Sequence, residues 1–185
     1  MNKFFRKILK FLSKGANRAK EAMKPLSLAD KVVALAKKEI GVEEENGSNC
    51  GVRVNQYKSA TSLNSKKSWP WCAAFVCWLY REGMEGGSYT FSRPKTAGAW
   101  DFENWARKQD NSIITKKPHK NDICAGDIVI FTFSHIGLAI SRPDEKGYVT
   151  TIEGNTDSSG SREGGGVFQK KRHVSKIRSR IRAMD

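Results

Sequence analysis

The 185-residue sequence has no run of about 18 apolar residues, so no segment reads as a membrane span. Histidine is scarce: only His119, His135 and His173. The four cysteines, Cys50, Cys72, Cys77 and Cys124, include no Cys-x-x-Cys pair, and no histidine stands at a zinc-finger offset. A zinc site is therefore not expected. Four thiols in a chain of this length are also too few for a disulfide framework, although a Cys50–Cys124 bridge is left open. No internal repeat appears, which argues against a solenoid. No helix-turn-helix, zinc-finger or aromatic RNA-binding pattern appears either, and no nucleic-acid partner is expected.

Acidic residues are the minority, 19 against 33 lysines and arginines, for a net charge of +14. The excess sits at the two ends. Residues 1–25 carry +7 and residues 162–185 carry +6, leaving the body near neutral. Basic ends of this kind suit a polyanionic partner. Within residues 1–24, Phe4, Phe5, Ile8, Leu9, Phe11 and Leu12 form one helical stripe ringed by cations. This predicts a basic amphipathic helix that lies on an anionic membrane surface. Its apolar residues never join into an uninterrupted core, and no small-residue cleavage site follows, so it does not read as a secretory signal. Pro25 marks a boundary, which divides the chain into an extension, 1–25, and a domain, 26–185.

Helices come first in that domain. Ser27 is a suitable cap for a helix with Leu28, Val32, Leu35, Ala36 and Ile40 on its apolar face, stopped by Gly41. An acidic turn, Glu43 to Asn49, follows. Its oxygens make calcium a candidate ligand, but it lacks the spacing of an EF-hand loop, and a solvated turn is the plainer reading. No other cofactor is expected. Val52, Val54 and Tyr57 predict a short helix. Pro70 suits the first position of the next one, which places Cys72 in its first turn and Arg81 and Gly83 at its end. That helix is apolar on nearly every side and so is expected to be buried. A fourth helix is predicted over Thr96–Lys108. The pattern then turns β-branched and aromatic: Asp127–Phe133, His135–Ile140, Tyr148–Glu153, Val167–Lys170 and Ile177–Ile181 read as strands. Helices followed by a meander of about five antiparallel strands make an α+β domain.

Cys72 is the candidate nucleophile. Unpaired N–H groups and the positive end of the helix dipole favour an anionic sulfur at such a position. A thiol nucleophile needs a base and a group that orients the base. His119 lies in a polar loop and His173 in a basic run, whereas His135 opens a strand. The next strand of the meander ends in Glu153-Gly154-Asn155, and antiparallel pairing brings Glu153 beside His135. Its carboxylate would then hold the imidazole, and Asn155 would add a ring contact or meet a substrate carbonyl. Each residue alone reads more readily as core or turn; the set of three is the specific signal.

Trp-Pro-Trp-Cys-Ala-Ala-Phe-Val at 69–76, Gly126–Phe131, His135-Ile136-Gly137 and Glu153-Gly154-Asn155, in this order, resemble the motifs of CHAP domains, the cysteine, histidine-dependent amidohydrolases/peptidases. Glu39–Glu44 and Asn49-Cys50-Gly51 resemble the opening segment of that family. The resemblance covers about residues 28–172. It implies a papain-like fold and a peptidoglycan substrate, cut at a stem peptide or cross-bridge. It implies Cys72 as nucleophile, His135 as base, Glu153 as orienting acid and Asn155 as accessory residue. The enzyme would be made in a bacterial cytoplasm and act on the wall, as phage endolysins and bacterial autolysins do. A monomer is expected. The basic N-terminal helix departs from the family pattern, and no wall-binding repeat is recognisable after the catalytic part. Trp69 and Trp71 are candidate groove residues. Gln56 and Tyr57 are candidates for a second oxyanion donor beside the Cys72 N–H, with core packing the plainer reading of Tyr57. The alternatives are an antagonism effector with the same chemistry, or a basic binding module in which Cys72 and His135 are structural.

Overall fold

The computed structural model describes residues 26–110 and 113–183. The amphipathic helix expected over residues 1–24 lies outside them. Among the described residues, four α-helices precede a six-stranded sheet: α1 Leu28–Lys38, α2 Val52–Lys58, α3 Cys72–Gly83 and α4 Asp101–Gln109. The strands are β1 Ile114–Lys116, β2 Ile128–Phe131, β3 Ile136–Ala139, β4 Tyr148–Thr156, β5 Gly166–His173 and β6 Ile177–Ile181, in the spatial order β1-β6-β2-β3-β4-β5. Every pairing is antiparallel. The fold is α+β and papain-like. The sheet has one strand more than expected, because β1, a three-residue edge, pairs with β6.

Helix α3 is the centre of the packing. It contacts α1 and α2 on one side and β3 and β4 on the other. Ten of its twelve residues are buried, as its all-round apolar sequence predicts. Alternation along the central strands divides the core. Ile128, Ile130, Ile136, Leu138 and Ile152 join the helices, while Val129, Phe131, Ala139 and Val149 form a second, smaller cluster.

Several helix ends differ from expectation. Ser27 caps α1 as its sequence suggests, accepting from the Asp30 N–H. Gly83, however, does not stop α3; it is the last helical residue, and Met84 follows as cap. A Cβ on Gly83 would lie 2.8 Å from Val32 Cγ1, so this glycine lets α1 approach α3 closely. Similarly, α3 begins at Cys72 and not at Pro70. The Trp71 N–H is held by Asn155 Oδ1 at 2.8 Å, which keeps residues 70–71 in a turn outside the helix. The fourth helix starts at Asp101 and not at Thr96, because Thr96 Oγ1 accepts the Gly98 N–H and turns the chain there. All four cysteines are free thiols, so no Cys50–Cys124 bridge forms.

Candidate functional site

Cys72 is the first residue of α3, so its backbone N–H has no acceptor within the helix. It is 7 % exposed, at the floor of a cavity of about 360 Å³ that Leu63, Trp69, Ala99, Ser134 and Arg162 help to line. A second cavity of about 480 Å³ shares Leu63, Ala97 and Gly98 with the first and continues toward Lys95 and Trp105. Together they make one groove passing the sulfur. A larger cavity, about 620 Å³, lies between Lys116, Pro118, Val174 and Arg178 and does not touch Cys72.

His135 is presented by a tight hairpin. The Phe131 N–H donates to the His135 carbonyl at 2.9 Å, enclosing a three-residue loop in which Ser134 takes φ +56. The ring is fully buried and stacks with Phe131 and Phe133, both centroids 6.0 Å away. Its Nε2 lies 3.2 Å from Glu153 Oε2, which leaves Nδ1 as the nitrogen for the thiol. Burial alone would push the imidazole down. Its contacts with Cys72 and Glu153 outweigh burial and raise it to about 9, so the imidazolium is favoured at neutral pH.

Glu153 reaches His135 across Gly137. The β3–β4 register, Leu138 opposite Ile152, sets Gly137 opposite Glu153. A Cβ on Gly137 would lie 2.6 Å from Glu153 Cγ, so the missing side chain is the space the carboxylate uses. Arg172, from β5, donates Nε to Glu153 Oε1 at 2.9 Å and Nη2 to Oε2, and the Thr151 hydroxyl also donates to Oε1. Burial raises this carboxyl, but Arg172 first and His135 second bring it down to about 2. Glu153 is thus an anion held inside the protein by two cations.

The next two residues fix α3 against this strand. A Cβ on Gly154 would meet Trp71 at 2.7 Å and Phe75 at 2.8 Å. At Asn155 the chain takes φ +57, where β4 bulges against β5. The Asn155 side chain accepts from the Trp71 N–H and donates to the Gly164 carbonyl at 2.7 Å and to Asn49 Oδ1 at 3.2 Å. Its bonds hold the turn before Cys72, and none goes to His135.

Of the other expected site residues, only Trp69 lines the groove. Trp71 is fully buried, stacks on Tyr57 and donates its indole N–H to Glu44 Oε1 at 2.7 Å; it belongs to the core and not to the groove. Tyr57 is buried too, packed against Phe75 and Trp78, with its hydroxyl donated to Glu39. It offers no oxyanion donor. Gln56 is exposed and accepts from Arg53, away from the groove. In the acidic turn, Glu44 also accepts the Asn49 N–H and Glu45 the Val52 N–H. Among the described residues no group of three His, Cys, Asp or Glu side chains is placed to hold a metal ion.

Several participants are not singled out by the sequence. Arg172 sits in the run Lys170-Lys171-Arg172, which reads as solvated charge; the alternation of β5 is the signal that separates it from Lys171. Ala97, Gly98 and Arg162 come from loops, where spacing carries no orientation. No curated protein and no solved structure matches the chain. The family model of the CHAP domain matches residues 64–155, the stretch that runs from the groove loop through Cys72 and His135 to Asn155. That stretch closes with the buried Asn155 on the Trp71 N–H, and it is a CHAP domain, of a family of peptidoglycan amidases and peptidases.

Proposed function

We propose that the protein hydrolyses an amide bond in the stem peptide or cross-bridge of peptidoglycan, with Cys72 as nucleophile, His135 as acid and base, and Glu153 as the group that orients and charges His135. The observation that carries this reading is the groove floor: a thiol at an open helix start, with a raised imidazole and a buried carboxylate in line behind it.

The Cys72 sulfur attacks the amide carbonyl carbon from the groove. The oxyanion forms next to the Cys72 N–H, which has no helical acceptor to give up. His135 then protonates the departing amine nitrogen, the C–N bond breaks, and a thioester remains on the sulfur. Water enters where the amine left. His135, now neutral, takes its proton as it attacks the thioester carbon, and the acid product leaves Cys72 free. Glu153 supports the step in which the ring is charged, and the flanking Phe131 and Phe133 rings hold the imidazole in one plane.

A phage endolysin, made in the host cytoplasm and acting on the wall, suits a small chain with cationic ends; an antagonism effector or autolysin would use the same groove. Residues 1–24 would hold the enzyme on anionic membrane beside its substrate. The test is a suspension of purified peptidoglycan. The protein lowers its turbidity, mass spectrometry of the released muropeptides shows new amine and carboxyl ends at one bond, and Cys72→Ala abolishes both. Clearing that persists in Cys72→Ala refutes the mechanism. Removal of residues 1–25 leaves wall cleavage intact and weakens binding to anionic vesicles; unchanged vesicle binding refutes the membrane role.

A further inference from the structure

Glu153 is an uncommon carboxylate: fully buried, yet ionised down to about pH 2. A carboxyl in the interior ordinarily takes up a proton, because burial disfavours its charge. His135 alone is a poor guarantee against this, since its single contact reaches Oε2 only, at 3.2 Å. The permanent cation at the site is Arg172. Its fork spans both oxygens, Nε to Oε1 at 2.9 Å and to Oε2 at 3.2 Å, with Nη2 on Oε2. The same Nη2 reaches the Gly160 carbonyl at 3.2 Å. The guanidinium lies over Phe131 and Phe133, 5.4 and 5.3 Å from their centroids, on the rings that also stack on His135. One planar cation thus touches the carboxylate, the aromatic walls of the imidazole, and the loop that carries Arg162 to the groove.

We propose that Arg172 is a positioning residue of the site, acting through Glu153. It keeps that carboxylate ionised and in plane, so that the counter-charge facing His135 persists at acid pH and the ring stays aimed at Cys72. This rests on the Cys72–His135–Glu153 reading above and extends it by a fourth member. The groups facing Glu153 are few: Arg172 from β5, His135 from the β2–β3 hairpin, and Thr151 from its own strand, with Cys72 of α3 beyond His135. With Arg172 gone, the remaining partners are a hydroxyl on Oε1 and one imidazole nitrogen on Oε2. The carboxyl then takes a proton as pH falls below neutral, and the imidazolium loses its counter-charge. A lysine keeps the charge but cannot span both oxygens and the Gly160 carbonyl together.

The test reads the rate of Cys72 alkylation by iodoacetamide against pH in the full chain, which needs no wall substrate and so stands apart from the choice of substrate. In Arg172→Gln the acid limb moves up by at least one pH unit relative to wild type, so that the rate at pH 5 falls at least tenfold more than the rate at pH 8. Arg172→Lys shows a smaller shift in the same direction and serves as the readout if the glutamine variant does not fold. In a Glu153→Gln background, Arg172→Lys adds no further shift, because the arginine has nothing left to act on. An acid limb in Arg172→Lys and Arg172→Gln that superimposes on wild type, or an equal shift that persists in the Glu153→Gln background, overturns the proposal.

Discussion

Helix α3 carries two cysteines five residues apart, and they differ in everything except chemistry. Cys72 stands at the first position, at the floor of the groove, with His135 beside it. Cys77 lies mid-helix, fully buried, with its S–H donated to the Thr96 carbonyl at 3.2 Å. Burial pushes the Cys77 thiol up to about 12, and Arg93 and the Thr96 contact offset little of this. The lesson concerns position. Five residues along the helix, a thiol with an open N-terminus and a charged neighbour gives way to one that is a small apolar filler. What sets Cys72 apart is the end of the helix and what the sheet brings to it.

That contrast can be broken most severely by removing the sheet's contribution. His135→Ala should lower wall hydrolysis by about two to four orders of magnitude, the usual range for a positioned acid–base group, measured as kcat/KM on solubilised peptidoglycan. It should also slow alkylation of Cys72 toward that of Cys77, read by mass spectrometry of the labelled peptides. A subtler break is Gly137→Ala. The added methyl competes with Glu153 Cγ for the same space, 2.6 Å away, so activity should fall by about tenfold or more. Overpacking of this kind typically costs about 1–3 kcal/mol of stability, readable as a lowered denaturant midpoint.

Proton linkage sharpens the comparison further. The folded His135 sits near 9, above the ordinary histidine value of 6.5. Its contribution to stability is therefore complete below about pH 6.5 and lost as pH rises through 9. Activity should show an alkaline limb near pH 9 as the imidazolium deprotonates, and the Cys77→Ala variant should keep that limb unmoved. Glu153, held near 2, contributes stability above about pH 4.5 that is lost as pH falls toward 2. The smallest effect belongs to Cys77 itself. Cys77→Ala should cost about 1 kcal/mol or a little more through the vacated volume and leave kcat/KM within twofold of wild type.

The parts of this site that sequence reveals are those with local rules. A cysteine after a Pro-containing turn and before an apolar run marks a helix start, and a histidine opening a β-branched run marks a strand edge. Strand order then brings Glu153 to His135. Sequence leaves Trp71 and Tyr57 open between groove and core, because an aromatic beside a buried helix looks the same in either place; the core, the plainer reading of Tyr57, holds for both. What decided it was tertiary: Glu44 takes the Trp71 indole and Glu39 the Tyr57 hydroxyl, partners 27 and 18 residues away. Gly83 resembles a stop because glycine near a helix end usually is one; here it is a contact point for Val32. The edge strand β1 is too short to show a period, and it pairs with a strand more than sixty residues later.

Gly154 has a consequence for how such a protein can change. Its backbone sits against the Trp71 and Phe75 rings with no room for even a methyl group. Because Glu153 and Asn155 flank it, the strand bearing Glu153 and the helix start bearing Cys72 are held at a fixed spacing. The groove cannot be reshaped by widening this seam, since any side chain there would part Cys72 from Glu153. Diversification is confined to the rim, where Leu63, Ala97 and Arg162 stand on loops free to lengthen, shorten or swap charge while the seam beneath them stays shut.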